Sequence, residues 1–147
     1  MANPKLDKEQ LVLAVLATAD GGSFEPVQIQ KLLFLIDERL SRSLGRKYFH
    51  FKPYDYGPFD SAVYRVLERL ETQGHVEIYP GDGATRRQYR ASNSGKDIGD
   101  EYLRSLPGKL DEKIVELSRF VRSLSFSDLI SAIYNEFPKM RVNSVFS

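Results

Sequence analysis

The sequence predicts a mainly α-helical α+β fold, with helices over most of its length and one small β-hairpin near the middle. Three observations carry that expectation. Ser61 to Gln73 sets Val63, Val66, Leu67 and Leu70 on one face at helical spacing. Gly74 follows, where a left-handed C-terminal residue costs least. Then Val76 and Ile78 alternate with Glu77 and Tyr79, GDGATR makes a turn, and RQYRA returns as the paired strand.

The first predicted helix starts at Asp7, with Gln10 three residues on as in a capping box. It carries Leu11, Val12, Val15, Leu16 and Ala19 and stops at Gly21 and Gly22. Pro26 fits the first turn of the next helix, where its missing N–H costs nothing. That helix runs to about Leu44, with Ile29, Leu32, Leu33, Ile36 and Leu40 as its stripe. Phe34 and Leu35 widen the stripe, so it is expected to be covered on more than one side.

Gly45 ends the second helix, and GRKYFHFKPYDYGPFD follows. Tyr48, Phe49, Phe51, Tyr54, Tyr56 and Phe59 crowd this segment, which reads as a short strand and a turn into the helix at Ser61. Tyr56-Gly57-Pro58 has the composition of a specific backbone turn, and Asp60 is placed to cap the helix after it. Ser92 caps another helix with Ile98, Tyr102, Leu103 and Leu106, closed by Pro107-Gly108. A fifth helix carries Ile114, Leu117, Phe120, Val121 and Leu124. A sixth starts at Ser125, carries Leu129, Ile130, Ile133, Tyr134 and Phe137, and ends at Pro138. Val142, Val145 and Phe146 give the last stretch the means to dock.

Helix, strand, turn and strand with arginines beside the turn is the layout of a winged helix. The expected architecture is therefore a winged helix-turn-helix core over about 5–106 with a C-terminal helical pair over about 109–147, in one domain. With 147 residues, 41% hydrophobic and 28% charged, a substantial core is affordable and the composition is that of an ordinary globular protein. A formal net charge of +1 offers no overall basic field to nucleic acid. The absence of cysteine excludes disulfides, thiolate nucleophiles and thiolate metal sites. MANPKLDKEQ lacks the basic-then-apolar pattern of a signal peptide, and no stretch is long and apolar enough to span a bilayer. A cytoplasmic protein without a membrane partner is the expectation.

Two stretches carry resemblances. RVLERLETQGHVEI followed by RQYRASNSGKDIGDEYL resembles the third helix, wing and next helix of many bacterial winged-helix regulators, with Tyr89, Arg90, Ser92 and Gly95 in the exit from the wing. IQKLLFLID followed by KPYDYGPFDSAVYRVLERL resembles the phage-associated proteins of the YwgA type and is similar to the Panacea antitoxin domain. There a "K-L-L-[YF]" helix precedes a "Y-G-P" turn, matched here by Lys31, Leu32, Leu33, Phe34, Tyr56, Gly57 and Pro58. Together they cover about residues 26 to 103. The second resemblance implies neutralising a toxin by protein contact.

Two functions are expected to compete. A DNA-binding transcriptional regulator would use Ser61, Tyr64, Arg65 and Arg69 on the helix face left outside the core stripe. Arg86, Arg87 and Arg90 would act from the wing, and Arg46 and Lys47, with Arg42 and Lys52 nearby, from the entry to the aromatic segment. About 4 to 6 phosphate contacts imply a log–log salt slope of about −4 to −5. A palindromic site would call for a homodimer, for which the C-terminal helical pair is the natural surface, although packing on the core accounts for its apolar residues equally well. Arg65 and Arg69 can instead pair with nearby glutamates, and Glu68 and Glu71 would repel phosphates. The alternative is a protein-interaction module, antitoxin-like, in which Tyr48, Tyr54 and Tyr56 meet a toxin or other protein partner.

Catalytic chemistry finds no foothold. His50 and His75 have no acidic neighbours at metal-ligand spacing, so structural roles and no metal are expected. Asp55 and Asp60 read as turn support and helix cap rather than as an acid–base pair. GDGATR and SNSGK lack the context of a phosphate-cradling loop, so no cofactor is implied.

Overall fold

The computed structural model describes residues 5–81 and 87–146. Within them the chain forms helices α1 (Lys8–Ala17), α2 (Pro26–Leu44), α3 (Ala62–Thr72), α4 (Asn93–Arg104), α5 (Leu110–Ser123) and α6 (Phe126–Glu136). Strands β1 (Lys52–Tyr54) and β2 (Gly57–Phe59) form one antiparallel pair, and β3 (Val76–Tyr79) and β4 (Gln88–Ala91) form another. The fold is thus mainly helical with two small antiparallel sheets. No helix of the described residues is long and apolar enough to cross a membrane.

Helix α1 is the centre. Its N-cap is the expected capping box: Gln10 N–H donates to Asp7 Oδ1 at 2.8 Å, and Asp7 N–H donates to Gln10 Oε1 at 2.9 Å. Leu11 through Ala17 are all buried, so no face is left to solvent over two turns. The sequence reading assigned that situation to α2 alone. The unbroken run LVLAVLA is the signal that α1 shares it, because a helix apolar on every side must be surrounded. α1 also ends earlier than expected, at Ala17, with Asp20 at φ 50° and Gly21 at φ 87° completing the turn.

Helix α4 packs directly on α1. A Cβ at Gly99 would lie 2.6 Å from the Leu13 carbonyl oxygen, and one at Gly95 would lie 1.9 Å from that of His75. Only glycine lets the two backbones approach so closely. Ser92 caps α4 as expected, accepting from Gly95 N–H at 3.1 Å, and Ser125 caps α6 by accepting from Asp128 N–H at 3.1 Å.

The second hairpin has Val76 opposite Ala91 and Ile78 opposite Tyr89. Its β4 edge is extended by Phe24, which exchanges both backbone hydrogen bonds with Tyr89, at 2.8 and 2.9 Å. This bridge ties the connection between α1 and α2 to the hairpin that follows α3.

The aromatic segment differs from its expectation. It forms a complete hairpin, not one strand and a turn: Lys52 pairs with Phe59 and Tyr54 with Gly57, which sits at φ 94°. Helix α3 then begins at Ala62, one residue later than Asp60 capping predicts. Asp60 still serves it, accepting from Ala62 N–H through Oδ1 at 2.9 Å and from His50 N–H through Oδ2 at 2.8 Å. The final stretch docks as its apolar residues suggested. Val145 N–H donates to Asp55 O at 2.9 Å, and Asn143 Nδ2 donates to Pro53 O at 3.2 Å.

Candidate functional site

Helix α2 presents three buried polar side chains to the aromatic segment, and each holds backbone. Gln30 pairs with both backbone groups of Asp60: Oε1 accepts from its N–H at 3.0 Å and Nε2 donates to its carbonyl at 3.0 Å. Asp37 accepts from Tyr48 N–H at 2.7 Å and Phe49 N–H at 3.0 Å. Burial pushes the Asp37 carboxyl up, against the pull of those two N–H groups. Lys31, buried within the chain, donates from Nζ to the Pro58 carbonyl at 3.0 Å. Burial brings its ammonium down to about 7. Sequence reasoning missed all three as buried groups. The signal was present: Gln30 and Lys31 precede and Asp37 follows the unbroken apolar run Leu32 to Ile36, and a polar group buried there must find a partner.

Gln30 and Lys31 hold the β1–β2 hairpin on α2, Tyr56 of its turn meets Phe126 at the start of α6, and a cavity of about 640 Å³ opens between them. Lys31, Gln30 and Val27 of α2 line one side, Tyr54 to Gly57 a second, and Leu124, Phe126 and Leu129 a third. Phe59 and Tyr64 complete it. The volume falls in the usual range for ligand pockets, and the walls are mostly apolar with a few polar groups. Three large rings stand exposed in this wall: Tyr54 at 56%, Tyr56 at 44% and Phe126 at 45%. Tyr56 meets Phe126 edge-on with centroids 5.3 Å apart. From Tyr54 a line of rings runs inward through Phe59 and Tyr64 to Tyr89 of β4, with centroid spacings of 5.3, 5.9 and 6.1 Å.

Tyr54 and Tyr56 therefore lie where a partner can reach them. Tyr48 does not, and that expectation is corrected. It is 1% exposed, and its hydroxyl donates to the Leu6 carbonyl at 2.7 Å. A buried phenol with a satisfied hydroxyl is a core residue. Tyr64 is also corrected. It is half-buried between Phe59 and Tyr89 and lines the cavity rather than presenting a groove reader's solvent face, and burial pushes its phenol up to about 12.

The basic residues are exposed but engaged. Arg65 donates to Ser61 Oγ at 3.3 Å, and Arg69 pairs with Glu9 of α1 at 2.7 Å. Arg87 hydrogen-bonds Tyr89. Arg90 is paired with Glu77 at 2.7 Å and lies over the Tyr79 ring, which raises the guanidinium and lowers the Glu77 carboxyl. Lys47 pairs with Glu38 at 3.3 Å, and Arg46 covers the Tyr48 ring at 4.9 Å. Glu68 and Glu71 are exposed on α3 beside Arg65 and Arg69. Arg86 lies outside the described residues.

His75 sits at the turn into β3 with Nδ1 buried and unpartnered, while the His50 backbone is held by Asp60. Among the described residues no group of three or more histidines and carboxylates is placed to hold a metal ion. Comparison with protein-family models, with curated proteins and with solved structures found no match.

Proposed function

We propose that the chain is a non-enzymatic binding protein with a winged-helix core, and that its principal partner is another protein met at the aromatic cavity. The order α1, the Phe24 bridge, α2, α3 and the β3–β4 hairpin supports the winged-helix reading. On that reading β1–β2 is an insertion between the second and third helices. The observation that carries the partner assignment is the cavity of about 640 Å³ with Tyr54, Tyr56 and Phe126 exposed in its wall. Exposed rings around a concave apolar site are the usual anchors of protein interfaces. The Panacea-like reading gains support at the same place. Lys31 of the KLLF stretch bonds to Pro58 of the Tyr56-Gly57-Pro58 turn, so both halves of that resemblance frame the cavity.

Duplex DNA is the second reading, favoured by Arg65 and Arg87 standing exposed on the helix and hairpin of the winged core. It is weakened by the in-chain partners of Arg65, Arg69, Arg87 and Arg90 and by the glutamates beside them. The decisive pair of experiments is affinity capture from cells and fluorescence anisotropy with duplex DNA at two salt concentrations. The protein-partner reading expects one captured partner that is lost with Tyr54→Ala plus Phe126→Ala and kept with Arg65→Ala plus Arg87→Ala. Duplex binding with a log–log salt slope near about −4, abolished by the arginine changes, would overturn it in favour of a regulator.

A further inference from the structure

Lys31 is chemically out of place. It is 3% exposed, it lines the cavity, and its Nζ reaches one acceptor, the Pro58 carbonyl. An ammonium has three N–H donors, so the contact leaves two without a protein acceptor among the described residues. No ion pair joins Lys31 to any acid among the described residues. The cavity's own acids, Glu25 and Asp55, stay unpaired with it, and its other titratable groups are the phenols of Tyr54, Tyr56 and Tyr64. Tyr134 of α6 approaches Gly57 from the same side as the Lys31 Cε. The hairpin backbone is shaped to this side chain: a Cβ at Gly57 would lie 3.7 Å from Lys31 Cε and 3.3 Å from the Tyr134 ring.

A buried cation without a counter-ion carries its desolvation cost in full, and an anion entering the same cavity offsets it. The remaining wall, Val27, Phe59, Leu124, Phe126 and Leu129, asks for an apolar body on that anion. We propose that the cavity binds a carboxylate carried on an aromatic or branched aliphatic body, presented by a segment of the protein partner, with the carboxylate paired to Lys31 Nζ. This rests on the reading of the cavity as a protein-binding surface. The depressed titration of Lys31 gives the site a proton linkage. The charged amine pairs with the carboxylate, so affinity is greatest below about pH 7 and falls as pH rises above it.

The test uses the full chain with ¹³C-labelled lysine and two probes, 3-phenylpropionate and 3-phenylpropionamide, followed by NMR titration. The acid is expected to bind at least about tenfold more tightly than the amide at pH 6. It is also expected to raise the Lys31 titration midpoint by about one pH unit or more, the linked equivalent of a tenfold preference of the acid for the charged over the neutral amine. The amide leaves the midpoint in place. Lys31→Met is expected to erase the preference, and the midpoint shift on the unaltered chain reads the same contact without a variant. Equal affinity for acid and amide, binding of neither, or an unmoved midpoint overturns the anion site and leaves the partner reading to its capture experiment. Tight binding of the acid with no protein captured overturns the partner reading and keeps the anion site.

Discussion

The Asp37 carboxylate holds the backbone N–H of Tyr48 at 2.7 Å, and this contact fixes where the aromatic segment leaves α2. The second oxygen takes Phe49 N–H, so one side chain satisfies two consecutive buried donors that no strand partner reaches. Asp37→Asn presents only one acceptor oxygen and leaves one N–H unpaired. The expected loss is about 1–3 kcal/mol, read as a lower denaturant midpoint with an unchanged slope.

Lys31 gives stability a pH dependence of known sign. Burial favours the neutral amine, so between about pH 7 and the ordinary lysine value of 10.5 the folded chain binds one proton fewer than the unfolded chain. Its contribution makes stability rise with pH across that window and stay flat below it. Lys31→Met is expected to remove this rise, which denaturant titrations at pH 7, 8 and 9 measure.

The approach of α4 to α1 sets a steric prediction. Gly99→Ala drives a methyl to 2.6 Å from the Leu13 carbonyl and 2.8 Å from the Ala17 Cβ. It is expected to cost at least about 2 kcal/mol. Gly108→Ala meets nothing within 4 Å and carries only the strain of its φ of 62°, about 1 kcal/mol. Thermal unfolding of the two variants side by side separates crowding from backbone strain.

The exposed ion pairs are expected to matter little to folding. Arg69 and Glu9 join α3 to α1 with about half of the arginine side chain in solvent, 53%. Arg69→Ala should change stability by less than about 1 kcal/mol, with the difference shrinking in high salt. A larger loss, measured in the same denaturant titrations, would mean that the pair orients α3 on the core.

Much of the helical frame was legible because it is written in spacing and caps. Asp7 with Gln10, Ser92 and Ser125 each start a helix where their side chains accept from the third residue on. Gly45 and Gly74 end elements at positive φ, 97° and 83°, as their positions implied. The cavity was not legible. Its wall comes from residues 25–31, 54–64 and 124–129, and no spacing within one element encodes their meeting. Tyr48 and Tyr54 illustrate the limit, since six residues apart in one aromatic run, one is core and the other solvent-facing. What sorts them is the partner each ring finds: the Leu6 carbonyl, distant in sequence, takes the Tyr48 hydroxyl in the core, whereas Tyr54 stacks on Phe59 at the cavity wall. The polar interruptions of α2 were the clue that long-range partners existed, but not where they lay.

The docked final stretch has a bearing on the order of events during synthesis. The third wall of the cavity is missing until residue 129 has left the ribosome, and the turn of the hairpin gains its last backbone bond only when Val145 reaches Asp55. A nascent chain that stops short of α6 therefore carries the cavity open on one side, although Lys31 of α2 can already hold the hairpin.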